Sequence, residues 1–495
     1  MMRLMLRIKI IKQPVPLFIS HFRNGFWHRV VFLCITAPLM SMALGIALGC
    51  SEREKSEVRN ILEEAKRAAA SMQQGNAKDG AFWEVAVAQA QAGDTERALE
   101  TVTVIRDMSN KARALANIVR VLADLRDATA ALKVVRMISD EQTRGGALIS
   151  IALAQQKAGD VKAALQTTAN IVDGSSKDWA LSNIAAAQAQ TGDITGALEV
   201  AKGIGAKDSD GEANEAKAFA LAEIALTQAR VGNVKGALGT VEAISDEYDR
   251  SMTVARIAAI QAEQGDYTGA MRTIIILRDS HSRDDASLYI AMAQAKRRDI
   301  KAALQTAKMI QAERTRQQAL SHIAFEQARV GDVKGALELA RKLDRDHDPS
   351  GSIAIIQAQR GDVKGALRNA GGVDARFRSA VLRDIAVAQV RAEDVQGAIK
   401  TLEQMGGIGA FVGKVAVALA DAGYVEEALK ASNSFSKEDE RPYILRKIAN
   451  AQVLRGDMQK ALTWANALDV PHEKAYALVG IATGVLGFRE NYEDE

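Results

Sequence analysis

Ile184 to Ile204 read IAAAQAQTGDITGALEVAKGI, and this stretch contains the whole structural unit of the chain. Its first half places Ile184, Ala185, Gln188 and Ala189 at helical spacing, so apolar side chains fall on one face of a first helix. Gly192 can take the left-handed conformation that closes a helix. Asp193 can accept the free backbone N–H groups that open the next helix, as an N-cap. Ala197, Leu198, Ala201 and Ile204 then lie at i, i+1, i+4 and i+7 on one face of a second helix.

The unit repeats. Residues aligned with Asp193 are Asp94, Asp127, Asp160, Asn233, Asp266, Asp299, Asp332, Asp362, Asp394, Tyr424 and Asp457, most of them 33 residues apart. Nine residues before this anchor stands Ile or Val in every unit, and four after it stands Ala in every unit, from Ala98 to Ala461. Small residues in such columns let helices approach closely. One helix pair cannot bury both of its faces, so neighbouring pairs must stack. Composition agrees: 48% of residues are hydrophobic but only 4% aromatic, with six prolines among 495 residues, which favours helices packed on small side chains over sandwiches and barrels.

The spacing resembles the tetratricopeptide repeat. Ile184, Ala185, Gln188, Gly192, Ala197, Ala201 and Ile204 stand where that family places Leu, Gly, Tyr, Gly, Ala, Phe and Ala, over roughly residues 80–490. The aromatic positions are replaced and the closing Pro is missing. The resemblance implies an all-α fold, a right-handed α-solenoid of about twelve helix-turn-helix repeats.

Departures from the period locate loops and ends. The 40-residue interval before Asn233 holds GAKDSDGEANE at Gly205–Glu215, which reads as a surface loop. The short interval before Asp362 contains Asp346-His347-Asp348-Pro349, where a first helix is expected to be trimmed. The repeats are assigned to 80–474. Residues 50–79 are expected to form a polar capping helix and linker, and 475–495 a terminal capping helix and acidic tail, because an open solenoid end exposes its core.

The first 49 residues read as an address. They carry six basic residues and no acid, and Val30 to Gly49 is uncharged. A basic stretch before an apolar one has the form of a secretory signal. Ala47-Leu48-Gly49-Cys50 resembles a bacterial lipoprotein signal, which implies lipid attachment at Cys50 and a protein anchored at the cell envelope, facing periplasm or exterior. The alternatives are an uncleaved single-pass anchor, since 20 apolar residues can span a bilayer, and cleavage elsewhere.

No enzyme chemistry is legible. Both cysteines, Cys34 and Cys50, precede the repeats, and the six histidines show no ligand spacing. Gly407 to Lys414 misses the phosphate-loop spacing, and Asp208-Ser209-Asp210-Gly211 misses that of an EF-hand. No catalytic residue, metal or cofactor is expected. Without the six leader cations the charge is near neutral, with no long-range pull toward nucleic acid.

A glutamine column is the least ordinary feature. Five residues before the anchor stands Gln in ten of twelve units, with Leu122 and Leu419 in the other two. A row of amides could take peptide backbone; alternatively each amide bonds a neighbouring helix or turn, and the adjacent buried Ala column favours that second reading.

In the resembled family the first helices line the concave face. Its groove positions, carried over, fall seven and three residues before the anchor. They give Leu226, Met292, Phe325, Ile355 and Val387 as an apolar stripe and Arg230, Lys296, Arg329 and Arg391 as a basic one. The expectation is a non-catalytic scaffold or adaptor binding a protein or peptide there, or else an accessory subunit of an envelope enzyme or secretion complex.

Overall fold

The computed structural model describes residues 51–205, 211–405, 409–433 and 440–490. The chain divides into two compact units, Met1–Gly49 and Cys50–Glu495, and every described residue belongs to the second. The leader and Cys50 lie outside the described residues, as do 206–210 of the long interval and 406–408 of the glycine-rich turn.

The described residues form 26 α-helices. They are α1 Glu52–Ser71, α2 Asn76–Gln91, α3 Thr95–Thr103, α4 Met108–Asp124, α5 Ala128–Val135, α6 Glu141–Lys157, α7 Val161–Ala169, α8 Gly174–Gln190, α9 Ile194–Lys202, α10 Gly211–Arg230, α11 Val234–Val241, α12 Glu247–Gln264 and α13 Tyr267–Ile275. There follow α14 Ser280–Lys296, α15 Ile300–Met309, α16 Glu313–Val330, α17 Val333–Ala340, α18 Ser350–Gln359, α19 Val363–Gly372, α20 Ala375–Arg391, α21 Val395–Gln404, α22 Gly409–Ala422, α23 Val425–Ser432, α24 Arg441–Leu454, α25 Met458–Asn466 and α26 Pro471–Val485. A 3-10 turn at Arg345–His347 replaces the first part of a helix before the shortened α18. No strand occurs among the described residues.

From α2/α3 to α24/α25 the helices make twelve pairs; the anchor side chain caps the second helix in ten of them, and at Tyr424 and Asp457 it makes no cap hydrogen bond. Gly192 sits at φ 97°, and Asp193 accepts the Gly196 N–H at 2.9 Å. Ile184, Ala185 and Ala197 are fully buried. At the glycine position Arg126, Arg298 and Glu393 take the same left-handed conformation, with φ of 64°, 69° and 64°, at a cost of about 1 kcal/mol each. Successive even-numbered helices pack on one another, while the odd-numbered ones each contact their own partner and the next even helix. The even helices therefore lie on the inner, more crowded side of the curve.

The ends correct the expectation of an open solenoid with two caps. Helix α26 packs against α24 on one side and against α2 on the other, and α1 packs along α26 as its pair partner. Among the described residues the last even helix is followed by no odd helix, and the first odd helix is preceded by no even one. Together they make a thirteenth pair, and unit Cys50–Glu495 closes into a ring. Far from being a polar cap, α1 buries Val58, Ile61, Leu62, Ala65 and Ala69. The first four share a core with Val85 of α2, Ala449 of α24 and Leu478 of α26. Lys474 meets Glu64 at 3.0 Å. Arg446 of α24 bonds Glu490 at 2.8 Å and, reaching past α26, Glu84 of α2.

Glycine makes this seam tight. A Cβ at Gly480 would collide with the Arg446 carbonyl, and one at Gly484 would stand 2.8 Å from Val453 Cβ. Only residues without side chains let α26 approach α24 so closely. Two smaller differences complete the account. Helix α2 begins at Asn76, inside the expected linker, and Gly211–Glu215 of the expected loop belong to α10.

Candidate binding face

The glutamine column turns inward on its own pair, toward the odd helix. Gln228, Gln261, Gln294 and Gln389 each accept the hydroxyl of a threonine twelve residues on, Thr240, Thr273, Thr306 and Thr401, at 2.6–2.8 Å. In the last pair Trp464 Nε1 donates to Gln452 at 2.8 Å. Several of these amides also donate to the N-cap carboxylate, as Gln389 does to Asp394 at 3.0 Å and Gln327 to Asp332 at 2.7 Å. The column thus ties the first helix to the second and to the turn between them, and its amides are not offered to a partner.

The opposite face of each even helix looks into the ring. It carries the positions 14, 10, 7 and 3 residues before the anchor, one helical stripe. The basic positions Arg230 and Arg391 are exposed there. Lys296 lies 3.8 Å from Glu263, and Arg329 pairs with Glu326 at 2.6 Å. Of the apolar positions, Met292, Phe325 and Ile355 are half-buried and offer surface to the ring interior. Leu226 and Val387 are 1% and 6% exposed and lie inside the packed core; their side chains pack between helices and reach no partner.

The structure adds residues that the seventh and third positions omit. Trp179, Phe219 and Met252, fourteen before their anchors, are half-buried on α8, α10 and α12, and Tyr289, ten before its anchor, on α14. The rings of Trp179 and Phe219 are 5.7 Å apart. Tyr289 Oη lies 3.9 Å from Met252 Sδ. With Met292, Phe325 and Ile355 they form one oblique apolar band across the inner faces of α8 to α18. In a chain with so few aromatics, three rings on three of four successive even helices were a readable signal. His322 stands in the same face beside Phe325, and burial holds its imidazole down to a pKa of about 4, so it is neutral at pH 7.

Charge is divided along the band. On the side of the helix N-termini, burial and then Asp246 and Glu215 push the Asp249 carboxyl up, and burial and then Asp284 push the Asp285 carboxyl up, with His281 acting against them. On the side of the C-termini stand Arg230, Lys296 and Arg329. Apart from Glu263, which sits at the C-terminal end of α12 beside Lys296, each sign sits at the helix end whose dipole it offsets. Among the described residues no group of His, Cys, Asp or Glu could hold a metal ion, and no helix is long and apolar enough to cross a membrane.

No protein-family model matches the chain, and no curated protein matches it. Among solved structures it is similar to Ton1535 from Thermococcus onnurineus NA1, at 17% identity and a TM-score of 0.22, over 69% of this chain and 96% of that one. It is similar to the pentatricopeptide repeat protein PPR10 from maize, at 13% identity and a TM-score of 0.30, over 90% of this chain and 72% of that one. It is also similar to the APC/C hetero-tetramer Cut9-Hcn1, at 14% identity and a TM-score of 0.24, over 90% and 98%. These likenesses are distant, and the fold stands on the helices, their order and their packing: the chain is an α-helical repeat solenoid.

Proposed function

We propose that this chain is a non-catalytic scaffold that binds a protein or peptide on the inner face of its helical ring, held at the cell envelope by a lipid on Cys50. The observation that carries the binding role is the half-exposed band of Met292, Phe325 and Ile355 beside Arg230, Lys296, Arg329 and Arg391. Half-exposed large apolar side chains gathered on a concave wall mark interaction surfaces. The other columns of the repeat are consumed by packing and by the glutamine bonds. Polypeptide fits the wall better than nucleic acid, because the wall carries both signs of charge where nucleic acid calls for a basic stripe. The envelope location is supported by the basic leader, the apolar run and Cys50 in the sequence alone.

The test is affinity capture from detergent-solubilised cells with the full chain and with a Met292→Glu, Phe325→Glu variant whose circular dichroism matches the parent. Loss of the captured partner supports the reading, and equal capture by the folded variant overturns it. Metabolic labelling with palmitate reads the anchor separately: label lost on Cys50→Ser supports it, and no label on the parent chain contradicts it.

A further inference from the structure

We infer that the segment held inside the ring is an extended stretch of about a dozen residues, basic along one side and acidic along the other, rather than a helix or a folded domain. This rests on the inner face being the binding face.

Three observations carry it. The first is closure. Thirteen inner helices spaced ~8–10 Å apart put the helix axes on a circle ~35–40 Å across, leaving a lumen of ~25–30 Å once the side chains are in place. A folded domain of 100 residues is at least as wide, with a radius of gyration of ~13 Å, so a linear segment is what enters.

The second is curvature. The wall turns through about 28° per pair when thirteen pairs share the full circle. The band from Trp179 on α8 to Ile355 on α18 crosses five such steps, an arc of roughly 140°, ~45 Å on the circle of helix axes and ~30–35 Å along the lumen wall. A straight helix of that length leaves the wall after one or two steps. An extended chain at ~3.3 Å per residue follows the wall and covers the band with about ten to twelve residues.

The third is the division of charge across the band. Asp249 and Asp285 border Met252 and Tyr289 on one side, and a crevice between α12 and α14 is lined by Tyr248, Ser251, Met252, Ala255, Ser282 and Asp285. The Tyr248 ring there is 61% exposed, and a cation beside the carboxylates can lie on its face. Arg230, Lys296 and Arg329 border the other side. A bound segment therefore places Lys or Arg toward Asp249 and Asp285 and Asp or Glu toward the basic row, with aromatic or aliphatic anchors between them.

The experiment is selection of a random 16-residue peptide library displayed on phage against the full chain, followed by affinity measurement on the enriched peptides made synthetically. The expected peptides combine apolar anchors with basic residues, and they tolerate proline at a non-anchor position within about threefold in Kd. Asp249→Lys with Asp285→Lys is expected to weaken them tenfold or more and, in a fresh selection, to replace the basic residues by acidic ones. That change of preference requires a folded protein. Peptides with apolar residues at i, i+3, i+4 and i+7 that proline abolishes, or a preference unmoved by the charge reversal, overturn the inference. If no peptide is enriched while cellular capture still depends on Met292 and Phe325, the partner is a folded protein; this inference then fails and the binding face stands. If capture is also insensitive to those two residues, both readings fail.

Discussion

The carboxamide oxygen of Gln389 accepts the hydroxyl of Thr401 at 2.7 Å, and both side chains are almost wholly buried. The pairing explains a correlation inside the sequence. Where Leu122 and Leu419 replace the glutamine, the residue twelve positions on is apolar, Val134 or Ala431. Gln188 faces Val200, and its carbonyl oxygen is buried without a hydrogen-bond partner.

Gln389→Leu should therefore lower stability by about 1 kcal/mol, the net worth of one buried hydrogen bond, because the Thr401 hydroxyl keeps the Gly397 carbonyl at 3.0 Å as a partner. Adding Thr401→Val, which rebuilds the pattern of Leu122 and Val134, should recover most of that loss. A double-mutant cycle in urea denaturation measures it, and additive losses would contradict the pairing.

Gly397 bears on the same network. A Cβ there would run into Asp394 Oδ2 and Gln389 Nε2, and the repeats with Ala at this position, Ala163 and Ala302, keep the aspartate cap. Gly397→Ala should break the Gln389–Asp394 bond while gaining about 1 kcal/mol of helix propensity. The net change in urea denaturation should stay within about 1 kcal/mol; a loss of several would mean that the amide–carboxylate bond carries much more than a single hydrogen bond.

Most of the fold was legible because a solenoid is a local code: anchor, cap and packing columns lie within 33 residues of one another, and their period is visible. Closure was not read, because it joins residues about 400 positions apart. Its trace was nonetheless present. Tyr476 to Val485 repeats the register of Tyr443 to Gln452 at a spacing of 33 residues and reaches an acid, Glu490, at the anchor position, which marks α26 as a first helix of the repeat, while α1 packs on it as a second. Two complementary halves predict each other. The candidate face was half legible. Register placed Met292 and Phe325 on it, but Leu226 and Val387 in the same column are buried, since local helix spacing and not register decides which side chains the neighbours cover. The column containing Trp179, Phe219 and Met252 lies outside the positions to which the resemblance points.

The seam should be sensitive to charge. Arg446→Met leaves Glu84 and Glu490 facing one another without their shared cation, which should cost about 3–5 kcal/mol. Glu84→Gln in the same chain should restore part of it. Equal stability of Arg446→Met and parent in thermal denaturation would contradict a structural ion triad.

His322 gives the inner face a pH dependence. Its folded pKa of about 4 lies below the unfolded value of 6.5, so between those values the unfolded chain binds the extra proton. The stability tied to this residue is complete above pH 6.5 and is lost as pH falls toward 4, at most about 3 kcal/mol in all. His322→Gln should flatten the melting temperature over that window relative to the parent. An unchanged slope would show that the imidazole is protonated in the folded protein at ordinary values.

Ring closure is tested most directly by a distance. Spin labels on Glu64→Cys and Lys474→Cys, in the full chain with Cys34→Ser and Cys50→Ser, replace a pair that stands 3.0 Å apart. Double electron–electron resonance should give a single narrow distribution at or below ~20 Å, the reach of two labels on packed helices whose axes lie ~8–10 Å apart. A broad distribution centred at several tens of ångströms would mean that the two ends do not meet, that the solenoid is open, and that the thirteenth pair does not exist in solution.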